Sequence, residues 1–143
     1  IDPALPWRSA NAEEMIMVAR ILSGLVGLFM GVMAVNWIVS PASAAEGLGM
    51  PFLDGMARSS QVGDFTSFFV CVSAFALLGA WQRSTSWVSA SAALLVCAAA
   101  FRTLAWLLHG AEFATASIVA EIVMSTLLIY AAFAFRQSAQ DNA

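Results

Sequence analysis

The sequence predicts an all-α fold, a four-transmembrane-helix antiparallel bundle whose helices run up, down, up and down. Apolar residues make up 61% of the chain and charged residues only 10%. The apolar residues gather in four runs, each near the roughly 20 residues that cross a bilayer as a helix. A soluble domain of 143 residues has too little interior to bury so much apolar surface. We therefore expect hydrocarbon to surround most of the chain.

The four apolar runs divide the chain into a membrane domain with two polar ends. The runs cover residues 17–39, 62–81, 87–108 and 115–135. Backbone polar groups in hydrocarbon must bond within their own segment, so a helix is the form expected for each run. The predicted organisation is a polar N-terminal tail over residues 1–14, a four-helix transmembrane domain over 15–136 and a polar C-terminal tail over 137–143.

The connectors between the runs support this topology. The first, SPASAAEGLGMPFLDGMARSSQ, contains Pro41, Pro51 and three glycines that break helices, and its apolar residues predict that it lies along the membrane surface. The second and third, QRSTS and HGAEFA, are short. Short links place sequential helices side by side and antiparallel.

The charges favour one orientation and exclude nucleic acid as a partner. All six basic residues are arginines and the net charge is −3, so the chain offers no basic patch. Four arginines fall on the side of both termini and one falls on the other: Arg8, Arg20, Arg83 and Arg136 against Arg58. The positive-inside rule then predicts both termini in the cytoplasm, and the expected location of this integral membrane protein is the bacterial inner membrane.

A layer of polar residues is predicted near the outer ends of the helices. Arg102 lies six residues before the end of the third run and Glu121 six residues into the fourth, so both lie roughly 9 Å below the outer boundary. Asp64 lies near the outer start of the second run and Asn36 near the outer end of the first. A charge in hydrocarbon costs about 2.5–3.5 kcal/mol and nearly always faces a bundle interior. We therefore expect Arg102 to pair with Glu121 or Asp64.

Helical spacing extends this layer into a candidate site. Arg102, Trp106 and His109 stand at i, i+4 and i+7, on one stripe of a helix. The predicted ligand-binding or structural cluster is Asn36, Asp64, Arg102, Trp106, His109 and Glu121. No catalytic residue is predicted. No metal site is predicted either: His109 and Glu112 could bind a metal together, but His109 is the only histidine in the chain. The sequence predicts no cofactor. If the polar cluster binds one, a quinone is the candidate.

Three other features suggest packing or membrane contact. Ser23, Gly27 and Gly31 form a ladder of small residues that permits close helix approach, and bundle packing is favoured over a dedicated dimer motif. Four tryptophans near run ends predict an interfacial belt: Trp37, Trp81, Trp87 and Trp106. Cys71 and Cys97 are expected to be small buried thiols, although a bond between them is conceivable.

Five segments together resemble the DoxX-like group of small four-helix membrane proteins. They are ARILSGLVGLFMGV in the first helix, the exit NWIVSPASAAEGLGM, the acid Asp64, and the segments AAAFRTL and IVAEIVM that carry Arg102 and Glu121. The resemblance covers residues 15–136. DoxX is associated with a thiosulfate:quinone oxidoreductase as a membrane subunit, so the resemblance implies an accessory or quinone-proximal role and carries over no activity.

Three functions stay open from the sequence. The favoured one is an accessory or assembly subunit of a larger membrane complex, with the lipid bilayer and other membrane proteins, or further copies of the chain, as partners. The second is binding of a small molecule or quinone by the polar cluster, with a redox link. The third is a small proton-coupled transporter. An enzyme is the less favoured class, since the chain carries no GxSxG, P-loop or GxGxxG motif.

Overall fold

The computed structural model describes residues 6–141 and confirms the all-α antiparallel bundle. The helices are α1 Pro6–Val39, α2 Pro41–Gly47, α3 Gly55–Gln82, α4 Thr85–His109 and α5 Thr115–Asp141. Four of the five are long and apolar enough to cross a membrane. The short helix α2 lies in the first connector. The described chain thus has the form of an integral membrane protein.

The four long helices form a closed ring in chain order. Helix α1 packs against α3 and α5, and α4 packs against the same two helices from the other side. Side chains with almost no exposure fill the centre: Ser23, Trp37, Val72, Val88, Ser91, Leu95 and Leu128. One end of the bundle, here the termini end, carries the start of α1, the α3–α4 turn and the end of α5. The opposite connector end carries α2 and the α4–α5 link.

The helices extend beyond the apolar runs at several ends. Helix α1 begins at Pro6, so residues 6–14 of the predicted tail are helical, and residues 1–5 lie outside the described part. Helix α5 continues to Asp141, through most of the predicted C-terminal tail, and residues 142–143 also lie outside it. An apolar run indicates where hydrocarbon begins, whereas helical hydrogen bonding continues unchanged into the polar region.

The first connector is more ordered than its prolines and glycines predict. Pro41 occupies the first turn of α2, where a missing N–H costs nothing. Helix α3 starts at Gly55, seven residues before the second apolar run. The buried Gln61 side chain accepts from the Leu53 N–H and donates to the Pro51 carbonyl, both at 3.0 Å. This side chain fastens the end of the connector to α3.

The α3–α4 turn at the termini end is very tight. Arg83 is left-handed with φ 53°, a conformation that usually favours glycine. A Cβ built on Gly79 would lie 2.4 Å from Val88 Cγ1 and 3.0 Å from the Val88 backbone nitrogen. Glycine at position 79 therefore allows α4 to start directly against α3.

The small-residue ladder of α1 packs inside the bundle, as predicted. A Cβ built on Gly27 would lie 2.7 Å from Leu77 Cγ on α3, and one on Gly31 would lie 3.0 Å from Ser73 Oγ. Ser73 also donates to the Gly27 carbonyl at 2.7 Å. Close approach of the two backbones makes this interhelical bond possible.

Two details of the sequence prediction are wrong. Trp37 is not an interfacial residue, since it is only 1% exposed and stacks on Phe65 with ring centroids 4.9 Å apart. Cys97 is exposed and Cys71 half-buried, and both are free thiols, so Cys97 is not a buried core residue. In each case the helical face differs from the expected one, while the position along the helix was predicted well.

Candidate functional site

The candidate site centres on an ion pair between α4 and α5. Arg102 Nε donates to Glu121 Oε1 at 2.9 Å. The short link after His109 makes α4 and α5 antiparallel neighbours, and both residues lie near the connector end. Glu121 is 5% exposed, whereas the Arg102 side chain is 31% exposed. The pair has one buried member and one accessible member.

This ion pair leaves hydrogen-bonding capacity unused on both sides. Glu121 Oε2 is buried without a donor. Within residues 6–141, the two terminal amino groups of Arg102 meet no acceptor. A guanidinium and a carboxylate can form two parallel bonds, and this pair forms one. A buried oxygen without a partner costs about 1–3 kcal/mol, so Glu121 Oε2 can accept a donor from outside the described residues.

Asp64 lies on the stripe of α3 that faces α4. Contacts elsewhere define this stripe: Val72 accepts from Ser91 Oγ at 2.9 Å, and Gly79 meets Val88. Phe75 also contacts Trp87 of α4, with ring centroids 5.2 Å apart, and Asp64 lies eleven residues, about three helical turns, before Phe75. The Asp64 side chain is exposed and has no partner among the described residues.

We call the surface that Asp64, Phe101 and Arg102 form at the connector end the α3–α4 cleft. The last buried residue of α4 is Ala99, and none follows it to the end of that helix. By the Val72–Ser91 register, Asp64 and Arg102 lie within about one helical turn in depth. The cleft thus presents an acid and a base in the apolar layer.

The other predicted site residues do not join the pair. Trp106 packs edge to face on Phe113, with ring centroids 5.2 Å apart. His109 is exposed at the last position of α4. Asn36 is half-buried near the end of α1 and makes no side-chain hydrogen bond within the described chain. Of the six predicted residues, the structure joins only Arg102 and Glu121 by a direct contact.

Several buried polar residues were missed at the sequence level. Gln61 holds the first connector, Ser73 and Ser91 bind carbonyls of neighbouring helices, and Thr66 Oγ1 is buried without a partner. Serine and threonine in apolar helices usually satisfy themselves on their own backbone, so their presence alone gives no signal. The glutamine at the border of the second run was the one available clue.

Two grooves lie on the sides of the bundle, and neither is lined by Arg102 or Glu121. One, of about 360 Å³, lies between α1 and α5 and is lined by Leu25, Val26, Phe29, Ala120, Val123 and Met124. The other, of about 370 Å³, lies between α1 and α3 at the termini end and is lined by Met17, Arg20, Ile21, Leu77, Ala80 and Trp81. Across residues 6–141, no three His, Cys, Asp or Glu side chains gather as a metal site requires.

The fold and the site define a class: a small four-helix integral membrane protein with an ion pair inside its apolar layer. The chain matches no protein-family model, no curated protein and no solved structure.

Proposed function

We propose that the protein is a non-catalytic subunit that assembles with another membrane protein through the α3–α4 cleft. The observation that carries this proposal is the incomplete Arg102–Glu121 pair, which leaves a buried oxygen and two guanidinium amino groups without partners. Polar side chains in membranes associate helices by completing such bonds. A partner helix that carries one donor and one acceptor would satisfy both residues.

The position of Asp64 supports a protein occupant. An unpaired acid beside the apolar layer is costly to leave in lipid, and it favours an opposite charge or a donor from outside the chain. Phe101, immediately before Arg102, is an exposed apolar residue of the cleft. An apolar side chain beside two polar groups has the composition expected of an interface between membrane helices.

Purification in a mild detergent, followed by measurement of the particle mass, tests this assignment. The wild-type protein should elute with a second protein in fixed stoichiometry. Arg102→Gln and Asp64→Asn should release that protein, while Arg58→Gln should retain it, because Arg58 lies outside the cleft and pairs with Asp54. A wild-type particle that contains a single chain, or only copies of this chain, would contradict a subunit role.

A second candidate function is binding of a quinone or similar small molecule in the same cleft. The specific observation is that the terminal amino groups of Arg102 lack an acceptor and Glu121 Oε2 lacks a donor. A quinol, or another ring that carries both a hydroxyl and a carbonyl group, offers both. Organic extraction of the purified protein and chromatography of the extract test this. Stoichiometric quinone in the wild type that is lost in Arg102→Gln would favour this function over assembly.

The family and orientation remain proposals as well. We propose membership of the DoxX-like group, on the five segments described above, and a bacterial inner-membrane location with both termini in the cytoplasm. Arginine placement supports the orientation: Arg20, Arg83 and Arg136 lie at the termini end, whereas Arg58 at the connector end is neutralised by Asp54. A C-terminal fluorescent fusion that folds only in the cytoplasm should be bright, and a dark fusion would overturn the orientation.

A further inference from the structure

We infer that Arg20 and Trp81 form a binding site for the phosphate of an anionic phospholipid. The site lies at the termini end, between α1 and α3, and is separate from the α3–α4 cleft. It is the groove of about 370 Å³ lined by Met17, Arg20, Ile21, Leu77, Ala80 and Trp81. Three features of this groove identify its ligand: the fixed guanidinium, the apolar walls and the unbalanced charge.

The guanidinium of Arg20 is held in place by a backbone contact. Its Nε donates to the Ala80 carbonyl at 3.0 Å. Ala80 lies two residues before the end of α3, where carbonyls lack a partner within the helix. This bond fixes the side chain and leaves the two terminal amino groups without an acceptor in residues 6–141. A guanidinium fork presented in this way suits two oxygens of one phosphate.

The walls of the groove suit the junction between an acyl chain and a headgroup. Ile21 and Leu77 supply apolar surface on the side of the hydrocarbon, and Met17 lies about one turn nearer the termini end. Trp81 is 75% exposed at the rim, a position in which tryptophan contacts the headgroup layer. Because Ala80 is about 3 Å from the end of α3, the guanidinium lies at the level of the membrane boundary. A free phosphate would contact only Arg20, whereas a lipid also contacts the apolar walls.

The charge of Arg20 is not balanced by any carboxylate in the described part of the chain. Among the described residues no carboxylate forms an ion pair with Arg20. Glu13 lies on the same face of α1, but about 10 Å from Arg20 along the helix axis, toward the N-terminus. Arg58 provides the contrast, since it pairs with Asp54, donates to the Leu53 carbonyl and lies 4.5 Å over the Phe52 ring. An anionic headgroup can therefore pair with Arg20, whereas the guanidinium of Arg58 already has partners within the chain.

Native mass spectrometry of the full chain, released from micelles that contain phosphatidylglycerol and phosphatidylcholine, tests the site. The wild type should retain phosphatidylglycerol in preference to phosphatidylcholine. Arg20→Gln should lower that preference about fivefold, the effect typical of one arginine beside an anionic surface. Arg58→Gln should leave it unchanged. Trp81→Ala should lower it as well, and because this side chain is exposed the variant should fold normally.

Three results would overturn the inference. The first is an unchanged lipid preference in both Arg20→Gln and Trp81→Ala. The second is an equal loss of preference in Arg58→Gln, which would indicate general surface charge. The third is complete competition by millimolar inorganic phosphate, which would make the site one for free phosphate. Arg20→Lys adds a further readout: it keeps the charge but not the fork, so a preference between those of the wild type and Arg20→Gln is expected.

Discussion

Arg102 and Glu121 share one hydrogen bond across α4 and α5 where their chemistry allows two. The bond runs from Nε to Oε1 at 2.9 Å, and Oε2 of the same carboxylate is buried without a donor. A pair that served only to fix helix register would be most stable with both oxygens bonded. The unused groups are the basis of the proposal that a partner binds at this pair.

Removal of Arg102 should destabilise the fold far more than removal of Arg58. Arg102→Ala leaves Glu121 buried without its counter-ion, a change that costs about 3–5 kcal/mol. Arg58→Ala breaks an exposed pair with Asp54, which contributes about 1 kcal/mol or less. The free energy of unfolding, from denaturation with SDS in mixed micelles, measures both. Equal costs would show that the Arg102–Glu121 pair contributes little.

The two members of the pair should be energetically coupled. Glu121→Gln keeps the size of the side chain, Arg102→Gln shortens it, and each removes one charge. The double variant should be less destabilised than the two single variants predict together, with a coupling energy of about 0.5–3 kcal/mol. The same denaturation assay provides all four free energies. Strict additivity would mean that the observed 2.9 Å contact has no energetic role.

A methyl group at Gly79 should push α3 and α4 apart. The added Cβ would lie 2.4 Å from Val88 Cγ1, and overpacking of this kind costs about 1–3 kcal/mol. Gly63→Ala, on the same helix with nothing within 4 Å, is the matched control and should be neutral or slightly stabilising. Thermal unfolding in detergent compares the two. The account of the α3–α4 turn fails if both variants melt alike.

Ser73 should stabilise the contact between α1 and α3 through one hydrogen bond. Ser73→Ala removes the 2.7 Å bond to the Gly27 carbonyl and should cost about 0.6–1.7 kcal/mol, the range found for such bonds between membrane helices. Ser67→Ala is the control, because Ser67 bonds only to Gly63 of its own helix. Its free energy of unfolding should be nearly that of the wild type. A larger loss in Ser67→Ala would be unexpected on this structure.

The fold could be predicted because hydrocarbon leaves few choices. Run length and short connectors define four antiparallel helices, and the structure confirms them. Helix rotation is less constrained, since a shift of one residue turns a side chain by about 100°. Trp37 illustrates the limit: its position near a helix end indicated an interface, yet its face is turned into the core. The structure at the end of the first connector depends on Gln61 bonds to Leu53 and Pro51 that no local pattern reveals.

In the candidate site too, the sequence indicated the level of a residue along its helix but not the direction in which its side chain points. Counting residues from the ends of the runs placed Arg102 and Glu121 at one level, and they do meet. Asp64 was counted to a similar level, but its side chain is exposed and forms no ion pair among the described residues. His109 is exposed because α4 ends there, beyond the last buried turn. Which residues of a helix its neighbours cover is a property of the whole bundle and has no signature in a single run.

Photocrosslinking from the α3–α4 cleft in native membranes tests the central claim most directly. Phe101 and Phe133 are matched positions, 67% and 68% exposed, on the cleft and near the opposite end of the bundle. With benzoylphenylalanine in place of Phe101, the account predicts one discrete protein adduct of fixed mass, which disappears when Arg102→Gln is added. The same probe at Phe133 should give lipid adducts alone. Equal protein adducts from both positions, or none from Phe101, would contradict assembly through the cleft.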